Sequence, residues 1–421
     1  MKPIYNNEMK TSLSAVDFSR RDVGIDLMRA IVMFTMIFVN DLWSVHDVPH
    51  WMLHAKAGED FMGLSDVVFP SFLFVVGMSI PFAIERRYTK GLSVESTLSH
   101  IFSRAIALIV MGVVLVNSEG GLASGLPYNS NFYKVAAVLA FIAIWNQYPK
   151  TDNSVRRHIF TALKIIGILL LLYLAATFRN PSGGVLSSQW WGILGLIGWT
   201  YLLCALVYVF VRRRLSVLIT VWVVCVLCSM VSSVLKAPWG DTPLFDFPNP
   251  NIFQQILSGV LHIGNGTLPA FTMGGIIFSL ICQRYSRSPL LHRLVGASVA
   301  IVLLSLLGML SHRFWIVSKL SETPPWIFYV SAIAIALYTL LTVLIEKGMA
   351  GWLNVIKPAG TATLTCYLVP YLLYALFITI GLVVPEWASS GILGLLKCVA
   401  FSFLTIGVTW LFERAHIKLK I

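Results

Sequence analysis

The chain has 421 residues, of which 57% are hydrophobic and only 12% are charged, and its mean hydropathy is +0.79. Soluble domains carry about 25% charged residues, so this composition excludes an ordinary soluble protein and predicts an integral membrane protein. The formal net charge of +12 comes from short Lys and Arg clusters between apolar runs. A long basic stripe is absent from the sequence, so a nucleic-acid partner is not expected, whereas the lipid bilayer is.

Runs of about 20 apolar residues are long enough to cross a bilayer as helices. The sequence contains twelve candidates, near residues 25–42, 66–84, 100–116, 132–148, 158–177, 190–211, 215–234, 257–281, 291–311, 326–345, 361–384 and 390–411. The predicted fold class is therefore all-α, a polytopic transmembrane helix bundle of about 11 to 12 spans. Residues 1–24 are predicted to form a cytoplasmic N-terminal tail, and residues 25–421 a single transmembrane domain.

The distribution of basic residues between the spans predicts the orientation. Alternate connections, together with the two termini, carry 21 Lys and Arg residues, whereas the opposite connections carry five, namely Lys56, Arg179, Lys236, Arg313 and Lys319. Because cytoplasmic loops are enriched in Lys and Arg, both termini are predicted to be cytoplasmic. The poorly charged loops, near 43–65, 117–131, 178–189, 235–256, 312–325 and 385–389, are then outside.

Charged side chains within the spans need a partner or a function, because they are costly to bury in lipid. Asp26 and Arg29 are three residues apart on the first span and can face each other, either as a structural ion pair that fixes helix packing or in a catalytic role. His262 and Asn265 belong to a glycine-rich polar break, which is tolerated at membrane depth only inside protein or beside a cavity. Lys397 lies deep in the last span and is expected to extend towards the interface.

Three histidines follow the first span. His46, His50 and His54 are spaced by four, which on one helix would align them as metal ligands, but Pro49 interrupts such a helix. The six cysteines lie almost all in apolar runs, where Cys behaves as a small hydrophobic residue, and no metal is expected. A single catalytic histidine, acting as a base or as a transient acyl carrier, fits this loop better.

Two polar residues flank that loop. Asp66 opens the second span, where a carboxylate can cap the helix and can also orient His54 and stabilise its imidazolium. Asn40 ends the first span and is a candidate donor to a developing oxyanion. His50 is the nearest competitor of His54.

Several segments of the sequence resemble transmembrane acyltransferases related to heparan-α-glucosaminide N-acetyltransferase, in particular their bacterial members. The N-terminal segments are the most specific, and the resemblance extends over nearly the whole chain. The matching segments are GIDLMRA at 24–30, FVN at 38–40, the histidine at 54, GLSDVVFP at 63–70, FLFVVG at 72–77, WGILGLIGW at 191–199, SK at 318–319, TPPW at 323–326 and GTATLTCY at 360–367.

This resemblance implies a bacterial inner-membrane enzyme that transfers an acetyl group from acetyl-CoA, as co-substrate, to an amino sugar or glycan on the periplasmic side. The loop histidine and the preceding asparagine of the family fall on His54 and Asn40. The phosphates of CoA require cations. The candidates are Arg86, Arg87 and Arg104 if CoA enters from the cytoplasm, and Arg29 and Lys319 if CoA is held within the bundle.

Other interpretations remain open at this point. Asp26, His50, His262 and Asn265 are candidate substrate-cavity residues. A secondary transporter of sugars or cell-wall fragments is the alternative function, with a midplane site formed by Asp26, Arg29, His262 and Asn265. The glycine pattern at 192, 195 and 198 allows close helix packing, either within the chain or in a homodimer.

Overall fold

The computed structural model describes residues 22–244 and 265–421. In these two ranges the chain forms twelve helices of sixteen or more residues and no β-strand beyond isolated bridges, so the predicted all-α class is confirmed. The helices are α1 (Val23–Asp41), α2 (Leu64–Thr89), α3 (Val94–Glu119), α4 (Ser130–Trp145), α5 (Ser154–Thr177), α6 (Gly192–Val211), α7 (Leu215–Ser232), α8 (Thr267–Arg284), α9 (Leu290–Ser311), α10 (Pro324–Glu346), α11 (Thr363–Thr379) and α12 (Gly391–Arg414).

Within the described ranges, nine of these helices are long and apolar enough to cross a membrane. A tenth span results if α11 is joined to the short segment Gly351–Thr361 that precedes it across an 81° bend. Helix α4 has only 16 residues, about 24 Å at 1.5 Å per residue, which is shorter than a bilayer core. The chain is a multi-pass membrane protein, and each of the twelve predicted runs overlaps one helix.

Loops that the charge pattern assigns to the same side of the membrane are in contact. At one end of the bundle, His46 N–H donates to the Ser389 carbonyl (2.8 Å) and Phe61 N–H to the Val317 carbonyl (3.1 Å). At the other end, Gln147 N–H donates to the Lys418 carbonyl (2.9 Å). These contacts agree with helices that alternate in direction. We refer to the first end, which carries loop 42–63, as the outer end, and to the other as the inner end; the cytoplasmic location of the inner end stays a prediction.

Helix α2 forms the centre of the bundle and crosses α8 at backbone contact distance. A Cβ atom on Gly77 would lie 1.9 Å from the carbonyl oxygen of Thr272, and one on Gly275 would lie 2.0 Å from that of Phe74. Only glycine permits this approach. Because α1 also packs on α2, the loop that joins α1 to α2 starts and ends on tightly packed helices.

The glycines of α6 pack against another helix of the same chain. A Cβ atom on Gly112 of α3 would lie 2.3 Å from the amide nitrogen of Gly195, and one on Gly198 would lie 2.9 Å from the carbonyl oxygen of Ala105. These small residues therefore serve the contact between α3 and α6.

Lys397 has a buried partner that the sequence did not indicate. Its ammonium lies 3.2 Å from a carboxylate oxygen of Asp41, which is 2% exposed, and it also contacts Ser44. The hydroxyl of Tyr374 donates to the same carboxylate (2.7 Å). This ion pair satisfies the lysine, and it fixes the outer end of α1 beside Asn40.

Candidate active site

A cavity of about 830 Å³ opens at the outer end of the bundle, and we refer to it as the outer cavity. His54, Asn40 and Lys319 line it, so three residues that were singled out from the sequence meet in one space. Nearly half of its remaining lining residues are aromatic. The aromatic side chains are Trp43, Phe69, Trp190, Trp326, Tyr367, Tyr371, Tyr374 and Phe401.

His54 is held by Asp66, the residue predicted to do so. The distance from His54 Nδ1 to Asp66 Oδ1 is 2.6 Å, and Asp66 is 1% exposed. The other carboxylate oxygen accepts the amide hydrogens of Ala55 (2.9 Å) and Gly63 (3.2 Å). Asp66 thus both caps α2 and orients the histidine, as predicted.

Local sequence explains why the loop folds back onto α2. A Cβ atom on Gly63 would lie 1.9 Å from the carbonyl oxygen of Leu53, so only glycine allows residues 51–54 to lie against the start of the helix. Ser65 Oγ donates to the Met52 carbonyl (2.6 Å), and Trp326 Nε1 donates to the Asp66 carbonyl (3.0 Å). These contacts fix the backbone on both sides of the pair.

The geometry assigns the tautomer of His54. A carboxylate that already accepts two amide hydrogens is an acceptor, so Nδ1 carries the hydrogen that it donates to Asp66. The His54 side chain is 52% exposed, and its Nε2 lone pair is the part of the ring that remains available to a reactant in the outer cavity. Such a nitrogen can serve as a base or as a nucleophile.

Lys319 brings a positive charge to the pair. Its Nζ lies 3.3 Å from His54 Nδ1 and 4.0 Å from Asp66 Oδ1. Because Nδ1 already donates to Asp66, the contact of Lys319 with the pair is electrostatic. Burial lowers the pKa of Lys319, and the charge of Asp66 opposes that shift. An ammonium in this position can stabilise an oxyanion that forms beside His54.

Glu322, which the sequence interpretation overlooked, also lines the outer cavity. It has a left-handed backbone conformation (φ 48°), and its carbonyl oxygen accepts hydrogen bonds from Ser229 Oγ (3.2 Å), Asn265 Nδ2 (2.8 Å) and Thr267 Oγ1 (2.7 Å). Burial raises the pKa of its carboxyl to about 7. Within residues 22–244 and 265–421 the carboxylate itself has no hydrogen-bond partner. Three donors thus fix the backbone while the acid faces the cavity.

A second cavity of about 500 Å³, the inner cavity, lies towards the inner end and is lined by Asp26, Arg29, Arg86 and Arg104. The predicted Asp26–Arg29 ion pair is present at 3.0 Å. Arg29 also donates to Ser79 Oγ (2.6 Å) and to the Gly360 carbonyl (3.3 Å). The wall is cationic overall, which suits an anionic ligand.

The two cavities share two lining residues, Met36 of α1 and Tyr367 of α11. We refer to this pair as the septum. Met36 is 3% exposed, so it is packed between neighbouring helices. The septum separates a cationic space at one end of the bundle from the space that contains His54 at the other.

Other predicted site residues lie elsewhere. Arg87 donates to the Ser96 carbonyl (3.0 Å) at the start of α3 and does not line the inner cavity. His50 pairs with Glu59 (3.0 Å) and stacks on Phe61 outside the outer cavity. Lys319 belongs to the outer cavity. Asn265 donates a hydrogen bond to the Glu322 carbonyl oxygen, as described above. His262 lies outside the described residues.

Residues 21–247, more than half of the chain, match a family model described as Domain of unknown function (DUF5009). The matched stretch includes Asn40, His54 and Asp66. No curated protein matches the chain.

Proposed function

We propose that this chain, which belongs to the DUF5009 family, is an acetyl-CoA-dependent N- or O-acetyltransferase of the bacterial inner membrane. The acceptor is an amino sugar or glycan on the periplasmic side. The observation that carries the proposal is the histidine of the outer cavity, whose Nδ1 is held at 2.6 Å by a buried carboxylate. This arrangement leaves Nε2 as the reacting atom, either as a base or as an acyl carrier.

The inner cavity supports acetyl-CoA as the donor of the acetyl group. Arg29, Arg86 and Arg104 line it, and guanidinium groups suit the phosphates of CoA. CoA bound there from the cytoplasm directs its thioester towards the septum and His54. Arg87 has no part in this binding, because its guanidinium is bonded to the start of α3.

The residues around His54 supply the remaining elements of acyl transfer. Lys319 brings positive charge beside the ring, and Asn40 offers an amide to the same cavity. Together they stabilise the oxyanion of a tetrahedral intermediate. The aromatic wall offers flat faces to sugar rings, and the outer loops admit the acceptor.

Labelled acetyl-CoA, incubated with the purified protein and a panel of amino sugars, tests the proposal. We expect label to appear in an acceptor, and His54→Ala to abolish the transfer. His46→Ala is the matched control, because His46 is a histidine of the same loop that lies outside the outer cavity. Full transfer by His54→Ala would refute the assignment.

A sugar transporter is the second candidate, favoured by one observation, the presence of cavities at both ends of the bundle with a thin septum between them. The predicted midplane site is less favourable, since Asp26 and Arg29 pair in the inner cavity while Asn265 is engaged with the Glu322 carbonyl. Flux of labelled sugar into proteoliposomes without CoA, driven by an ion gradient, distinguishes this function from the enzyme.

A further inference from the structure

The hydrogen bond between His54 and Asp66 limits what His54 can do when an acetyl group leaves it. With acetyl on Nε2 and hydrogen on Nδ1, the ring is a cation that the Asp66 carboxylate stabilises at 2.6 Å. When the carbon–Nε2 bond breaks, its electron pair returns to Nε2 and the ring becomes neutral. The leaving imidazole therefore needs no proton, while the acceptor must lose one.

Until its bond to the acetyl carbon breaks, Nε2 has no free lone pair, so a second base is needed to remove the hydrogen of the acceptor during the attack. Two carboxylates line the outer cavity within the described part of the chain, Glu119 and Glu322. Glu119 is the last residue of α3 and is exposed to solvent. Glu322 is largely buried, and no described group donates to its carboxylate. The two carboxylates differ in exposure, and Glu322 is the one that the protein shields from solvent.

The position of Glu322 is fixed relative to Lys319. Glu322 N–H donates to the Lys319 carbonyl (3.2 Å), which closes a turn, and Thr323 N–H donates to the Ser318 carbonyl (3.2 Å). Together with the three donors to the Glu322 carbonyl, these bonds hold two ionisable side chains on one short segment, and both side chains line the outer cavity with His54. A left-handed glutamate is costly for a non-glycine residue and persists only where the surroundings determine it.

We propose that Glu322 is a second catalytic residue, which accepts the proton of the acceptor's amine or hydroxyl while the acetyl group leaves His54. The inference rests on the proposed acetyltransferase function and assigns His54 the role of acyl carrier. One bond forms between the acceptor heteroatom and the acetyl carbon, and the bond from that carbon to Nε2 breaks. The proton moves from the heteroatom to the Glu322 carboxylate and then to water.

The other charged groups of the cavity are compatible with this role. Lys319 and the Asp66 carboxylate lie together at His54, so their charges largely offset each other, and Glu119 is at the exposed end of α3. Since burial raises the pKa of Glu322 to about 7, its basic form declines as the pH falls below about 7. A base with a pKa near the working pH is efficient in proton transfer.

The two half-reactions provide the test. Mixing enzyme with labelled acetyl-CoA, without acceptor, measures a burst of CoA release and the label that stays on the protein; adding acceptor then measures transfer. For Glu322→Gln we expect an unchanged burst and a transfer step that is about 100-fold slower or more, as is typical of a lost general base. Glu322→Asp should recover part of the transfer rate and retain a pH dependence.

Glu59→Gln is the control, because Glu59 is a carboxylate of the outer end that lies outside the cavity. Thermal unfolding of each variant checks folding. If Glu322→Gln slows both half-reactions equally, or neither, the role of Glu322 is refuted while the acetyltransferase stands. If the wild type gives neither a burst nor transfer with any acceptor, the proposed function fails and the inference with it.

Discussion

Replacing Asp66 by asparagine tests the most constrained part of the site. Its Oδ2 accepts the amide hydrogens of Ala55 and Gly63, and its Oδ1 accepts from His54. The single oxygen of asparagine satisfies the two backbone amides, so its NH2 group is forced towards His54 Nδ1. Since NH2 only donates, Nδ1 must become the acceptor and the ring hydrogen moves to Nε2. Nε2, the atom that should react, then carries a hydrogen and has no free lone pair.

The expected magnitude follows from this tautomer change. In hydrolytic triads, the same substitution lowers kcat by on the order of 10⁴ with the geometry intact, which corresponds to about 5.4 kcal/mol of activation free energy. The loss of folding stability should be smaller, about 1–3 kcal/mol, because one charge-assisted hydrogen bond is lost and both backbone bonds are kept. The effect on turnover should therefore greatly exceed the effect on unfolding.

The assay is acetyl transfer to the best acceptor, measured together with thermal unfolding in detergent. Asp60→Asn is the matched control, because Asp60 is a carboxylate of the same loop that accepts from a backbone amide, Val317 N–H (2.7 Å), and from a histidine, His312 Nε2 (2.8 Å). We expect this control to retain activity within about tenfold at neutral pH. If Asp66→Asn also stays within tenfold of wild type, the tautomer argument is wrong.

Three further predictions concern packing, acid stability and CoA binding. Gly77→Ala should destabilise the fold by about 3 kcal/mol in thermal unfolding, because its Cβ meets a carbonyl oxygen at 1.9 Å, whereas Gly296→Ala, with open space, should be neutral or stabilising. Burial raises the pKa of Asp60, but the Val317 amide and the side chains of Lys236 and His312 outweigh it and lower the pKa. We therefore expect wild type to melt at a higher temperature than Asp60→Asn above about pH 5. This difference in melting temperature should disappear as the pH falls below about 4. Arg104→Ala should raise the KM for acetyl-CoA by about tenfold or more with little change in kcat, while Arg87→Ala should leave both unchanged.

The sequence predicts the part of the site that depends on local chemistry. Asp66 follows Gly63 at the start of an apolar run, which is a capping pattern, and the same short loop supplies His54. The structure joins the two side chains at 2.6 Å. Both roles of Asp66 could be predicted because they involve residues at most twelve positions apart.

The rest of the site depends on contacts between distant segments. Glu322 is a cavity residue because Ser229 and Thr267, on two other helices, bind its carbonyl oxygen. Nothing in the neighbourhood of Glu322 in the sequence indicates that burial. Arg86 and Arg87 are adjacent and equally basic, but helical geometry turns consecutive side chains by about 100°, so only one of them faces the inner cavity. Which one depends on where the chain places the start of α3, because Arg87 is bonded to Ser96 there.

The septum has an electrical consequence for the proposed reaction. With water in both cavities, the transmembrane voltage between them falls across the layer formed by Met36 and Tyr367. Moving one elementary charge through that layer changes the free energy by about 2.3 kcal/mol per 100 mV. In the proposed reaction, the polyanionic part of CoA stays in the inner cavity, and only the uncharged acetyl thioester has to reach the layer. The transfer step can therefore run at a rate that does not depend on the energised state of the cell.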